Sequence, residues 1–214
     1  DFEVGLSGER IGERRGAGMV LLHIGPDAAG DTEVEFGNML VYGRYRFFET
    51  DVFEMGGELS LQIPTRSDFG LSVALPYRLR LGEMFSIDGS FVLSAAFRDE
   101  IDGGNTVVLD FVVQPRFAPA DRSYVGINTG AIIGELTEQN FVVVPLGFEV
   151  GLVAGSATTR VDVFAEFAFP TFHFSGRTVR VAFGDVSYHD RSGQVVTENW
   201  SLTLGARVYL GFER

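Results

Sequence analysis

Along residues 200–212, WSLTLGARVYLGF, apolar and non-apolar residues interleave without a break. Trp200, Leu202, Leu204, Ala206, Val208, Leu210 and Phe212 form one series, and Ser201, Thr203, Gly205, Arg207, Tyr209 and Gly211 form the other. Successive side chains of a strand point to opposite faces, so the segment predicts a strand with one greasy face and one wet face. The same alternation recurs along the chain. In 52–63, Phe53, Met55, Leu59, Leu61 and Ile63 oppose Glu54, Glu58, Ser60 and Gln62, and in 69–81 the odd positions from Phe69 to Leu81 oppose Arg78 and Arg80. In 85–98, Phe85, Ile87, Phe91, Leu93 and Phe97 oppose Ser86, Asp88, Ser90, Ser94 and Arg98. Val107, Leu109, Phe111 and Val113 oppose Asp110, Gln114 and Arg116, and Val161, Val163, Phe167 and Phe169 oppose Arg160, Asp162 and Glu166. Segment 141–153 is apolar on both faces but groups Gly147, Glu149 and Gly151, while 39–48 and 123–134 are weaker examples. No stretch sustains an apolar period of 3.6, so essentially no helix is expected.

Turn chemistry separates these runs: GPDAAGD (25–31), PTRSD (64–68), DEIDGGN (99–105), ELTEQN (135–140) and HDRSG (189–193). Twelve strands are expected, near 2–8, 16–24, 32–48, 52–63, 69–81, 85–98, 106–117, 123–134, 141–153, 158–173, 177–188 and 194–212. Ten is the alternative, if 1–24 does not make two crossings or if 171–193 is one long outer loop. These runs are longer than soluble strands, which average about five or six residues, and suit tilted membrane-crossing strands of about 9–11. Pro76, Pro115 and Pro145 fall inside runs, and because proline donates nothing to a ladder they are expected at bulges near a rim.

Composition sharpens this picture. The 214 residues, read as one domain over 1–214, include 27 Gly and 20 Phe. Glycine weakens an ordinary strand, so its recurrence at Gly56, Gly57, Gly89, Gly130, Gly147 and Gly151 fits a crowded closed sheet where it admits a large neighbour. The formal charge, 17 − 29 = −12, argues against nucleic-acid phosphates as a partner. No cysteine is present, which excludes disulfides, thiolate metal sites and cysteine nucleophiles. No apolar run approaches the roughly 20 residues of a membrane-spanning helix. The opening at Asp1 lacks a charged n-region and an apolar h-region, which fits a removed signal peptide or a segment that never had one.

Two architectures use such strands. A soluble sandwich or lipocalin-like barrel turns the apolar series inward, whereas a transmembrane barrel turns it out into lipid and encloses the polar series. Three features favour the second: a polar series rich in Gly, Ser and Ala with no Lys, long Phe-heavy apolar faces, and no helix to cover them. A bilayer also demands that every backbone group be paired internally, which a closed antiparallel sheet achieves. The expected fold is therefore all-β, a closed antiparallel up-and-down transmembrane barrel.

The closing segment, Thr203-x-Gly205-x-x-Val208-x-Leu210 running to Phe212, resembles the C-terminal strand motif of Gram-negative outer-membrane β-barrels. That resemblance implies an outer-membrane location, the lipid bilayer and the barrel-assembly machinery as partners, and other envelope proteins as further ones. Glu213 and Arg214 follow Phe212 where the class usually ends on the aromatic, which a short tail or a cut from a longer protein would explain.

Candidate chemistry lies in the polar series. Arg44, Arg46, Glu54, Glu58, Arg78, Arg80 and Asp88 in the first half, with Asp110, Arg116, Glu149, Arg160, Asp162, Glu166 and Arg207 in the second, are expected to line the lumen. They would either select solutes for a small porin-like channel or lock a structural barrel as an ion-pair network. Two alternatives are a scaffold that binds a partner protein in an envelope assembly and a lipid-modifying enzyme. For the enzyme, His173 and the cluster His189, Asp190, Arg191 and Ser192 carry the residue types, but no nucleophile motif is present, so no catalytic residue is assigned. Asp99, Glu100, Asp102 and Asn105 offer hard oxygens on one loop without the spacing of a known calcium loop, and no metal or cofactor is expected. Phe47, Phe48, Phe97, Phe117, Tyr124, Phe141, Phe167, Phe169, Phe172 and Trp200 lie near run ends, where interfacial aromatic girdles sit in membrane barrels.

Overall fold

The computed structural model describes residues 2–7, 19–26, 32–35, 39–63, 69–97, 106–120, 122–134, 141–155, 159–175 and 200–211. They form β1 (Phe2–Ser7), β2 (Met19–Pro26), β3 (Thr32–Glu35), β4 (Met39–Glu49), β5 (Phe53–Ile63) and β6 (Phe69–Arg80). The chain continues with β7 (Phe85–Phe97), β8 (Thr106–Ala120), β9 (Ser123–Gly134), β10 (Phe141–Gly155), β11 (Thr159–Ser175) and β12 (Ser201–Gly211). No helix occurs among the described residues. The fold is all-β: β4 to β12 are nine strands in one antiparallel up-and-down sheet, each bonded to the next.

The first strands join this sheet at both ends. β1 pairs with β4, from Phe2↔Tyr45 to Ser7↔Leu40, and also with the end of β12, from Glu3↔Gly211 to Leu6↔Val208. β2 takes the preceding part of that same β12 edge, from Met19↔Ala206 to Ile24↔Leu202, and pairs with β3 on its other side. The two strands expected over 2–8 and 16–24 thus follow one another along a single neighbour instead of lying side by side. The strand expected over 32–48 is divided into β3 and β4, β12 begins at Ser201 and not at 194, and the strand expected over 177–188 lies outside the described residues.

Short connections, 50–52, 81–84, 121–122 and 156–158, gather at one end, and the longer ones, 64–68, 98–105, 135–140 and 176–200, at the other. At the short end, Thr50 closes its turn on Phe53: its hydroxyl accepts from the Phe53 amide (2.9 Å) and donates to the Phe53 carbonyl (3.0 Å), and its amide donates to the same carbonyl (2.8 Å). Gly82, at φ +126° with nothing within 4 Å of a would-be Cβ, is required by backbone conformation alone.

The alternation predicts the faces, and the distribution of exposure is the reverse of a water-soluble protein's. Leu59, Val73, Val150 and Leu152 are 53–65 % exposed, whereas Asn128, Glu149 and Asp162 on the opposite face are 0 % exposed. Leu204 is likewise exposed and Thr203 buried. The buried face is not uniformly polar: Tyr42, Val92, Tyr124 and Phe164 fill it beside Ser60, Ser72 and Ser94.

The prolines behave in two ways. Pro145 sits at a register shift between Val144 and Leu146, and the Thr129 hydroxyl donates to its carbonyl at 3.0 Å. Pro76 and Pro115 need no bulge. The β5–β6 ladder pairs Met55↔Tyr77 and Glu58↔Ala74 in unbroken register and is silent between them, and the β8–β9 ladder does the same between Val113↔Thr129 and Arg116↔Gly126. A missing donor therefore removes bonds locally while the long flanking ladders hold the register.

Candidate functional site

The side chains of highest chemical potential lie on the buried face near the short-turn end. Register explains why. Glu54 faces Arg78 across β5 and β6, and Arg78 faces Asp88 across β6 and β7, so alternating signs on neighbouring strands meet directly. The Arg78 guanidinium holds Asp88 through two parallel bonds of 2.7 and 2.8 Å, and Ser86 donates to the same carboxylate at 3.2 Å. Glu54 collects three guanidiniums: Arg80 at 2.7 Å, Arg46 at 3.4 Å and Arg78 at 3.5 Å. Arg46 also reaches Glu49 at 3.1 Å, and Arg44 forms a separate pair with Glu58 at 2.7 Å.

Arg116 carries this belt across the sheet. It donates to Gln114 at 2.9 Å, lies 3.3 Å from Asp88 on β7 and 3.3 Å from Glu149 on β10. Reaching Glu149 means crossing β9, and the residue it crosses is Gly126, its own register partner. A Cβ there would come within 3.2 Å of the Gln114 amide nitrogen and 3.5 Å of Arg116 Cγ. The guanidinium carbon stands 4.3 Å from the centre of the Tyr124 ring, a cation–π contact, and the Tyr124 ring in turn occupies the space where Gly151 has no side chain. The chain of contacts Arg46, Glu54, Arg78, Asp88, Arg116, Glu149 thus links five strands along the wall and a sixth beyond Gly126.

Beyond it, Asn128 reaches across β10 at Gly147, its register partner, and donates to Glu166 on β11 at 2.8 Å. Asp110 and Asp162 are buried on the same face, and Arg207 is the register partner of Asp162. The side chains of Arg160 and Arg207 lie outside the described residues, as do those of Val208 and Leu210 and the whole of Phe212. Of the other assembly-motif residues, Thr203 and Gly205 belong to the buried face.

Tyr124, expected in the girdle, is instead an inward member of β9: it is 5 % exposed and supports Arg116. Phe47, Phe48, Phe97, Phe117 and Phe167 are exposed, and Phe169, Phe172 and Trp200 form a half-buried cluster with Phe167. Phe141 lies outside the described side chains, as do His189 and the loop 99–105, while His173 is half-buried opposite Val144. Asn128 and Gln114 were not anticipated as partners of the charged series, although both stand on its face of the alternation. No protein-family model matches the chain, and no curated protein matches it either.

Proposed function

We propose that this chain is an integral outer-membrane β-barrel that serves as a structural barrel, its interior locked by the ion-pair belt and closed to general solutes. The observation that carries the reading is the inversion of burial: leucines and valines outside, carboxylates and amides inside. In water this arrangement has the wrong sign, since each Å² of apolar surface left exposed forgoes about 25 cal/mol. In hydrocarbon it has the right one.

Dimensions agree. From Phe69 to Leu81 the outward residues of β6 and its following turn cover twelve steps. At about 3.3 Å per step and a tilt of about 40°, this spans about 30 Å along the membrane normal, the thickness of a hydrocarbon core. Closure is part of the proposal. The pairing of β1 with β4 on one side and with β12 on the other supports it, with β1 and β2 taken to share one position in the ring and β3 to lead into β4. On this proposal the barrel has ten staves, the smaller of the two expected counts. Both ends of the described chain then lie on the short-turn side, which by the stated resemblance is periplasmic.

A locked interior is supported by the 0–1 % exposure of Asp110, Asn128, Glu149 and Asp162, since residues around an open aqueous pore would be wetted. Planar-bilayer recording tests it. Purified protein that inserts into liposomes and runs at a heat-modifiable position is expected to give no steady conductance. Long-lived openings of porin size in the unmodified protein would replace the structural reading with a channel.

A further inference from the structure

We propose that His173 anchors the phosphate of a lipid headgroup at the rim of the barrel that carries the long connections. The inference rests on the membrane reading and deepens it, since it names what one point of the outer surface holds.

Register places His173 on the outer face. It is the direct partner of Val144, and directly opposed residues share a face. Val143 and Pro145, on either side of Val144, are buried, so Val144 and His173 point outward. Register also sets the depth. Leu75, Phe91 and Phe111 are successive partners across β6, β7 and β8, Phe111 faces Ala131 on β9, and the β9–β10 register carries this row on to Val144. Leu75 stands six positions from the β6 end at Phe69, whereas His173 stands two from the β11 end at Ser175, so the row climbs toward the long connections. Strands about 4.8 Å apart and tilted by about 40° raise it by about 15 Å between β6 and β11. That is half of a hydrocarbon core about 30 Å thick. With Leu75 near the midplane, His173 lies where acyl chains give way to headgroups.

The second observation is that the imidazole lacks a protein partner there. It is half-buried and makes no hydrogen bond or ion pair with the described residues. A polar group turned toward hydrocarbon is costly when unpaired, so its partner comes from the lipid side. The backbone is shaped at the same point. Val144↔His173 gives way to Leu146↔Phe169, which leaves residues 170–172 opposite Pro145 alone, and a bulge of this kind re-aims the side chains beside it. Phe172 lies 6.3 Å from Phe169, Phe169 lies 5.2 Å from Phe167, and Trp200 stacks on Phe167 at 6.2 Å. Such rings sit at headgroup level in membrane proteins, which agrees with the depth set by register.

Phosphate is the headgroup part that fits. An imidazole N–H donates, and bonds to ionised oxygens are stronger than those to neutral ones. The chain's net charge of −12 repels anionic lipid at long range, so any preference for it must come from a local contact.

Trp200, the sole tryptophan, reports on the neighbouring lipid, because brominated acyl chains quench it on contact. The wild-type protein is placed in phosphatidylcholine liposomes that hold a minor fraction of either phosphatidate or diacylglycerol with identical brominated chains, two lipids that differ only in the phosphate. Phosphatidate is expected to be enriched at Trp200 about fivefold over diacylglycerol, the net worth of one hydrogen bond. His173→Phe, which keeps a ring and removes the donors, erases this preference, and His173→Lys, which restores a donor, retains it. Equal quenching by the two lipids in wild-type protein leaves interfacial water as the partner of His173 and overturns the proposal, as does a preference that survives in His173→Phe. No quenching by any brominated lipid, phosphatidylcholine included, removes the membrane reading itself and the proposal with it. Because the wild-type comparison needs no variant, a misfolded mutant does not shield the proposal from failure.

Discussion

Leu75→Arg is expected to destabilise the inserted protein by about 2–4 kcal/mol, the penalty for an arginine near the midplane on the lipid face of a barrel. Leu75 lies halfway between Phe69 and Leu81 on the outward series of β6 and is already 45 % exposed. For a protein in water, an added surface charge at such a position changes stability by no more than about 0.5 kcal/mol. Urea titration of liposome-inserted protein separates the two, with Glu83→Arg in the turn as a reference that costs little in either case. Equal midpoints for Leu75→Arg and wild type would mean that this face meets water.

The second large effect belongs to the belt. Arg116→Ala removes a contact of Glu149, which is 0 % exposed and has little water to replace the lost cation. Breaking one side of a buried ion pair typically costs about 3–5 kcal/mol. Arg46→Ala, whose side chain is about one-third exposed, removes contacts of 3.1 and 3.4 Å at the rim and is expected to cost below about 1 kcal/mol. The combined change Arg116→Met with Glu149→Gln recovers most of the loss, because the desolvated charge is removed along with its partner. Chemical denaturation of the three variants provides the comparison. A similar loss for Arg116→Ala and Arg46→Ala would show that the belt is not energetically graded by burial.

The strands of the middle of the chain were legible because one signal, period-2 alternation, sets both their existence and their faces. Phe69 to Leu81 and Phe85 to Phe97 declare outward and inward positions residue by residue. The pairing of Arg78 with Asp88 also has a sequence shadow, since the two residues flank the tight 81–84 turn symmetrically. Arg116 with Glu149 does not: they are 33 residues apart, and their meeting depends on the registers of β8, β9 and β10 together with the missing side chain at Gly126. The placement of β1 and β2 was hidden for a different reason. Alternation reports which face a residue takes but not which edge a strand occupies, so two short runs on one edge read the same as two full crossings. Tyr124 shows the limit of position along a run as a guide. Its place near a strand end suggested an interface, while parity on β9 sends it inward, onto Gly151 and under Arg116.

The cysteine-free chain allows single spin labels to be introduced one at a time along β6 in liposomes. Labels at Leu71, Val73 and Leu75 are expected to collide with oxygen, which concentrates in hydrocarbon, and scarcely at all with a water-soluble nickel chelate. Labels at Ser72 and Ala74 should be shielded from both. Free collision of the chelate with the odd-numbered positions, level with that at the Glu83 turn, would contradict a lipid-facing exterior and with it the barrel.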